Sequence, residues 1–329
     1  MKQSEGTSLL YELVRECDVL IENYLPGKLT QMGVGYEKVK QINPKIIYAS
    51  ISGFGSSGPY AKRAGYDVIA ASIGGLLSIT GPEDGDPCKP GVALTDLTTG
   101  LYAKSAILSA LFYRERYGKG CKIDCNLLSS QVSMLTNLAS NYLNCGAKGR
   151  RRGTAHESIV PYQSFKCSDS KWITIGAISD KMFAKMCHLI DLKDIANDNR
   201  FADNANRVLN RETLIRLIQE KIQTKPISHW LNLFENSGFS YGPVNDIEDV
   251  FEDKQVLHNK CVIELESEHI GPIKTLGHAV SYQTEDNSFV RQGFTAPPQL
   301  GEHTTQVLKS VLNYSDSKIK RLIDQKVIQ

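Results

Sequence analysis

Apolar residues recur at helical spacing from residue 6 to residue 21, with Leu9, Leu10, Leu13 and Val14 on one side. The pattern runs into a short strand at DVLIEN. YLPGKLTQMGVGYEKVKQINP (24–44) predicts a turn, a short helix and a second helix. Pro44 then introduces KIIYASISGFG, a β-branched run suited to a buried strand. SSGPYAKRAG is loop. YDVIAASIGGLLSITG is a mostly apolar helix in which Gly74 and Gly75 allow a neighbour to come close, and PEDGDPCKPG is polar turn sequence. VALTD is strand-like. Leu97 to Arg116 is helical and stopped by Gly118, KGCKIDCNLL is another strand, and Leu128 to Leu143 another helix. Strand and helix alternating in this way predict an α/β layer with an open, parallel, Rossmann-like sheet.

The character changes at AKGRRRGTAHES (147–158). YQSFKC and KWITIGAI alternate as antiparallel strands do. Helices follow near 181–190, 211–223 and 229–237, then a hairpin over VIELESEHIGPIKTLGHAVSY. TAPPQLGEHTTQVLKSVL reads as a proline-rich connector and a final helix, with Glu302 to Thr304 at the helix start. The second part is therefore a smaller α+β domain.

Composition changes this picture little. The 329 residues carry a net charge of +2, which gives no field for a nucleic acid or a membrane surface. No window approaches the roughly 18 apolar residues of a spanning helix. The opening MKQSEGTSLLYELV holds neither an apolar signal core nor an arginine-rich amphipathic run. Eight cysteines at irregular spacing read as reduced thiols. Cys121 and Cys125, the one close pair, lack a second pair at zinc spacing, so no metal is expected.

Candidate chemistry is sparse. GFGSSG (53–58) fits G-x-G-x-x-G after a strand, but Pro59 and Tyr60 follow where a dinucleotide site needs a helix start. Arg150, Arg151 and Arg152 suit phosphate groups, or more simply a solvated connector. Asp96 in ALTDLTTG is open to two readings. It is a helix N-cap, or it is a carboxylate presented at a strand end, held ionised by the following helix N-terminus and competent to attack an activated acyl group.

Several segments together resemble one family. VLIENYLPGKLTQMGVGYE, NPKIIYASISGFGSSGPYAKRAGYD, PGVALTDLTTGLYA, RRRGTAHESIVPYQSF, GPVNDIEDVFEDKQV and APPQLGEHT occur in the order found in class III CoA-transferases, the formyl-CoA and carnitine-CoA transferase group. Within that group the wording is most similar to mitochondrial enzymes that move CoA from succinyl-CoA to a dicarboxylic acid such as glutarate.

The resemblance implies that Asp96 is the nucleophile and passes through a mixed anhydride to an aspartyl-CoA thioester. It implies CoA contacts at Asn23, Tyr24, Met32 and Tyr66, and also at Gln31, where relatives carry arginine. His156, Glu157 and Ser158 fall in the lid over the aspartate, where the family's glycines are largely replaced, and become candidates for acid selection. Oxyanion donors are expected from backbone N–H groups near Asp96 and from the 153–160 loop. The coenzyme A thioester is a substrate, and no permanently bound cofactor is implied.

The resemblance further implies a large CoA-binding domain over 1–147, a small α+β domain over 148–255, a return to the large domain over 256–329, and an interlocked homodimer. The chain starts after the family's first strand and helix, so an N-terminally truncated form is expected. Two alternatives stay open: an acyl-CoA racemase or epimerase of the same fold, although TDLTTG resembles the transferase version, and a truncated non-catalytic chain.

Overall fold

IYASIS, within KIIYASIS, becomes the middle strand of a three-stranded parallel sheet. The structure is a computed structural model that describes residues 3–283, 285 and 293–328. Residues 1, 2, 284, 286–292 and 329, which fall in the first and third segments expected from the sequence, lie outside the described residues. The chain divides into two compact units, Met1–Gly153 with Pro298–Gln329, and Thr154–Pro297.

The first unit runs α1 (Ser4–Glu16), β1 (Val19–Glu22), α2 (Lys28–Gln31), α3 (Tyr36–Ile42), β2 (Ile47–Ser52), α4 (Asp67–Ile73), α5 (Leu76–Ile79), α6 (Leu94–Tyr117), β3 (Cys121–Asn126), α7 (Leu127–Ser133) and α8 (Thr136–Cys145). The sheet order is β1-β2-β3, all parallel, with Val19 opposite Ile47 and Ile47 opposite Cys121. Parallel neighbours need a crossover, and the segment holding α6 supplies the one between β2 and β3. Ile47 and Ala49 are fully buried. Tyr48, turned to the other face, joins Val14, Leu29, Val34 and Val39 in a core beneath α1 to α3.

Three predicted elements differ. The apolar helix of residues 66–81 is broken at Gly74–Gly75, because Gly75 takes a left-handed φ of 85°. The helix of 128–143 is broken between α7 and α8, where Thr136 has a positive φ. VALTD is not a strand: Val92 and Ala93 are a bend and cap, and α6 starts at Leu94. Three apolar residues offer too short a run to outweigh the helix that follows.

The second unit contains β4 (Tyr162–Lys166), β5 (Trp172–Gly176), α9 (Asp180–Leu189), α10 (Lys193–Ala196), a 3-10 turn at Asn199–Phe201, α11 (Asn204–Leu209), α12 (Arg211–Ile222), α13 (Ile227–Phe234), β6 (Ser240–Pro243), α14 (Ile247–Glu252), α15 (Lys254–His258), β7 (Val262–Ser267) and β8 (Gly271–Leu276). β4, β5 and β6 form an antiparallel sheet, and β7 with β8 a hairpin. Phe165, Ile173, Ile175, Phe183, Trp230 and Phe234 fill its core, each buried side chain contributing about 1.5–3 kcal/mol. Arg207 is fully buried and spends its donors on Val160 O (2.8 Å), Phe201 O (3.1 Å) and Asp180 Oδ1 (2.7 Å).

The chain then returns to the first unit as α16 (Thr304–Leu312) and α17 (Asp316–Asp324); Leu308, Ile319 and Leu322 of these helices and Tyr314 between them form a cluster packed on Leu9. Among the described residues no helix is long and apolar enough to cross a membrane. All eight cysteines carry free thiols.

Candidate active site

Asp96 is the third residue of α6, exposed and projecting from its first turn. The residue at the cap position is Ala93, whose side chain accepts nothing. The cap comes from elsewhere: Asp67 Oδ1 accepts from the N–H of Thr95 (2.9 Å) and of Asp96 (3.2 Å). Leu94 N–H donates to Val92 O and Leu97 N–H to Ala93 O. The N–H groups that a helix start leaves unpaired are thus engaged by the protein itself.

Three expectations change. Asp96 is not the N-cap, and the helix amides beside it are not left over for an oxyanion. The net shift of the Asp96 carboxyl is also opposite to the one a helix N-terminus alone would give. Crowding by neighbouring atoms, and secondly the charge of Asp67, push its carboxyl above the ordinary 3.8. Asp67 offsets the positive helix end that would have had the opposite effect.

Below Asp96 the packing is polar and closed. Thr95 Oγ1 donates to Gln131 Oε1 at 2.8 Å, both residues being fully buried, and Thr99 Oγ1 donates to Thr95 O at 2.7 Å. Gln131 Nε2 is buried without a hydrogen-bond partner among the described residues. Gly74 leaves room for the stem of Gln131, which a Cβ there would strike.

Tyr66 caps α4 directly before Asp67 and is 71% exposed. Gly53, the first glycine of GFGSSG, serves this corner. A Cβ built on Gly53 would lie 2.7 Å from the Gly65 Cα, so the two loops cross backbone to backbone just before Tyr66. The first glycine of the pattern that mimics a dinucleotide loop is therefore a crossing point.

The other candidates of this unit sit apart from Asp96 in their packing. Asn23 and Tyr24 follow β1 and are exposed. Tyr24 lines a cleft of about 400 Å³ with Thr30, Tyr48, Ser50, Ser52, Lys62, Lys122 and Asp124; neither Asp96 nor Tyr66 lines it. Gln31, the last residue of α2, is exposed, whereas Met32 is half-buried against the core of α1 to α3.

His156, Glu157 and Ser158 belong to the second unit and are exposed. Their segment is tied down. Arg211 donates to His156 O (3.0 Å) and Glu157 O (2.6 Å), and Asn204 donates to Ser158 O (2.8 Å). Val160 N–H donates to Asn204 Oδ1, and His156 stacks on Tyr162 with ring centroids 5.4 Å apart. Ser158 N–H donates to His156 Nδ1 (3.1 Å), which leaves the proton of the neutral ring on Nε2.

The basic run is also less free than expected. Arg151 donates to Pro82 O and Ser78 O, and Arg150 pairs with Glu83 at 3.6 Å, all within the first unit. Among the described residues no group of three or more His, Cys, Asp or Glu is placed to hold a metal ion.

Asp67, Arg211 and Asn204 were not singled out from the sequence. The partners of Asp67 lie 28 and 29 positions along the chain, those of Arg211 54 and 55 back. No local spacing rule reaches that far, and the one signal was the position of Asp67 within the AGYD segment.

The sequence matches the family described as CoA-transferase family III over residues 1–304. It is 47% identical over 328 residues to the succinyl-CoA:glutarate CoA-transferase of Homo sapiens, covering all of this chain and 74% of that protein. It is 37% identical over 308 residues to the succinate–glutarate CoA-transferase of Agrobacterium fabrum, covering 94% of this chain and 76% of that one. A solved CaiB/BaiF family protein from Brucella suis superimposes with a TM-score of 0.81 at 37% identity, covering 94% of this chain and 79% of that one.

Proposed function

The chain belongs to CoA-transferase family III, and from that premise we propose that it moves CoA from succinyl-CoA to a dicarboxylic acid such as glutarate through a thioester formed on Asp96. The observation that carries the residue assignment is the Asp96 carboxylate itself, exposed on the first turn of a buried-footed helix and partly desolvated. A carboxylate stripped of some of its water is the better nucleophile.

The Asp96 carboxylate attacks the thioester carbonyl, CoA thiolate leaves, and a succinyl-aspartyl anhydride forms. The thiolate attacks the aspartyl carbonyl, succinate leaves, and the enzyme holds CoA as an aspartyl thioester. Glutarate then attacks that carbonyl and expels the thiolate. The thiolate returns to the glutaryl carbonyl of the new anhydride, releasing glutaryl-CoA and the free Asp96 carboxylate. The acyl groups stay activated throughout, so the exchange is close to balanced without nucleotide hydrolysis.

Asn23, Tyr24, Gln31 and Tyr66 are exposed positions suited to contact CoA, with Met32 as an apolar wall packed from behind. His156, Glu157 and Ser158 select the acid. With Nδ1 accepting from Ser158, the Nε2–H of His156 can donate to a carboxylate, and Arg211 and Asn204 hold the segment as a fixed wall in place of a glycine lid. Residues 1–147 form the CoA-binding domain of this reading, 148–255 the small domain, and 256–329 the return.

The working form is a homodimer, supported by the apolar residues exposed along α6: Leu97, Leu101, Leu108 and Phe112. The site of action in this reading is the mitochondrion, supported by the family resemblance of the sequence. The test is transfer from succinyl-CoA to a panel of free acids. Glutaryl-CoA formed faster than the product of any monocarboxylic acid is expected. No transfer to any acid would overturn the reading.

A further inference from the structure

We infer that Asp67 is the positioning residue for the nucleophile: its carboxylate grips the backbone of Thr95 and Asp96 and so fixes the direction in which the Asp96 carboxylate meets the thioester. The inference rests on the reading of Asp96 as nucleophile.

Three features separate this from an ordinary helix cap. First, the acceptor is supplied by a remote segment. The local cap residue, Ala93, has no acceptor, and one Asp67 oxygen takes both N–H groups, at 2.9 and 3.2 Å. Second, residue 95 is held at both ends. Its N–H is bound by Asp67 and its hydroxyl by the buried Gln131, so the peptide that carries Asp96 has little freedom to rotate. Third, Asp67 is itself fixed. It opens α4, which packs against α6 and α7, and the Gly53–Gly65 backbone crossing anchors the loop just before it. Tyr66, a candidate contact for the pantetheine end of CoA, is the adjoining residue. One short segment therefore spans from a CoA contact to the backbone of the attacking group. Reactions of bound partners depend on such alignment, and a displacement of about 1 Å costs on the order of 100-fold in rate. The Asp67 charge also adds to the raised pKa of Asp96, which favours its attack once ionised.

The test compares Asp67→Ala, Asp67→Asn and Asp96→Ala in succinyl-CoA to glutarate transfer, with thermal melts of each. For Asp67→Ala, kcat is expected to fall about 100-fold while KM for succinyl-CoA changes by less than about threefold. Asp67→Asn keeps the accepting oxygen without the charge and is expected to recover at least about tenfold of that loss. A folded Asp67→Ala with wild-type kcat, or an Asp67→Asn as slow as the alanine variant, overturns the positioning role. Should Asp67→Ala not fold, Asp67→Glu carries the test, because it moves the same acceptor by one methylene: kcat falls if position matters, and an unchanged kcat overturns the inference. Retained transfer in Asp96→Ala would instead remove the nucleophile reading beneath it, so the two failures are distinguishable.

Discussion

Thr95 and Gln131 form a closed polar clasp under the candidate nucleophile, hydroxyl to amide oxygen at 2.8 Å, with both side chains shut off from water. It ties α6 to α7 at the turn that carries Asp96. A buried hydrogen bond contributes little net energy when made and costs its full desolvation when half is removed.

Thr95→Val keeps the shape and removes the donor. Gln131 Oε1 then joins Nε2 as a buried atom without a partner. A loss of about 1–3 kcal/mol in urea unfolding is expected. Adding Gln131→Met, which removes the amide as well, recovers much of it. A double variant no more stable than Thr95→Val would show that the clasp is not what the valine disturbs.

Asp96 should make the folded protein less stable at neutral pH than an uncharged residue would. Its folded pKa lies above the ordinary 3.8. The stability attached to that shift is complete below the ordinary value, where the group is protonated in both states, and is lost as pH rises through the folded value. Asp96→Asn is therefore expected to melt higher than wild type at pH 7, with the gap closing as pH falls toward 3.8. Equal melting temperatures at both pH values would contradict the shift. By the same sign, the acid limb of kcat/KM is expected to lie higher than for an ordinary aspartate, and Asp67→Asn to move it down.

Arg211→Ala removes two charge-assisted hydrogen bonds from the carbonyls of His156 and Glu157. A stability loss of about 1–2 kcal/mol is expected. KM for glutarate should rise several-fold, about 3- to 10-fold, while KM for succinyl-CoA stays near wild type. A rise in KM for the CoA donor alone would detach this segment from acid selection.

The thiols should divide by burial. Burial pushes Cys187 up to about 12 and Cys167 up to about 11, so thiolate is scarce at both. Cys17, Cys88 and Cys145 are exposed. Iodoacetamide at pH 8 followed by peptide mass mapping should label those three and spare Cys167 and Cys187 until the chain is unfolded. Early modification of Cys187 would mean that the second unit opens readily.

Where the pattern was long or repetitive, the elements were legible. The β-branched stretch around Ile47, the helix ending at Gly118 and the alternation of Tyr162 to Lys166 all reported their own structure. Breaks inside apolar runs were harder. Gly75 splits one helix by taking a left-handed φ of 85°, and the stem of Gln131, 57 positions along from Gly74, packs where a Cβ on Gly74 would lie. Asp96 could be singled out, because its segment carries a family resemblance. Its local geometry could not, because a helix cap is normally sought at the residue just before the helix, and here it is Asp67. Arg211 looked like any charge at a helix start until its two carbonyl partners were placed beside it.

Trapping the enzyme with CoA on Asp96 tests the reaction most directly. The chain is incubated with succinyl-CoA, quenched with hydroxylamine, digested and mapped by mass. The peptide spanning Asp96 should gain the mass of a hydroxamate in a succinyl-CoA-dependent manner, and Asp96→Asn should gain none. Succinyl-CoA to glutarate transfer proceeding at full rate with no label on that peptide would contradict covalent catalysis at Asp96.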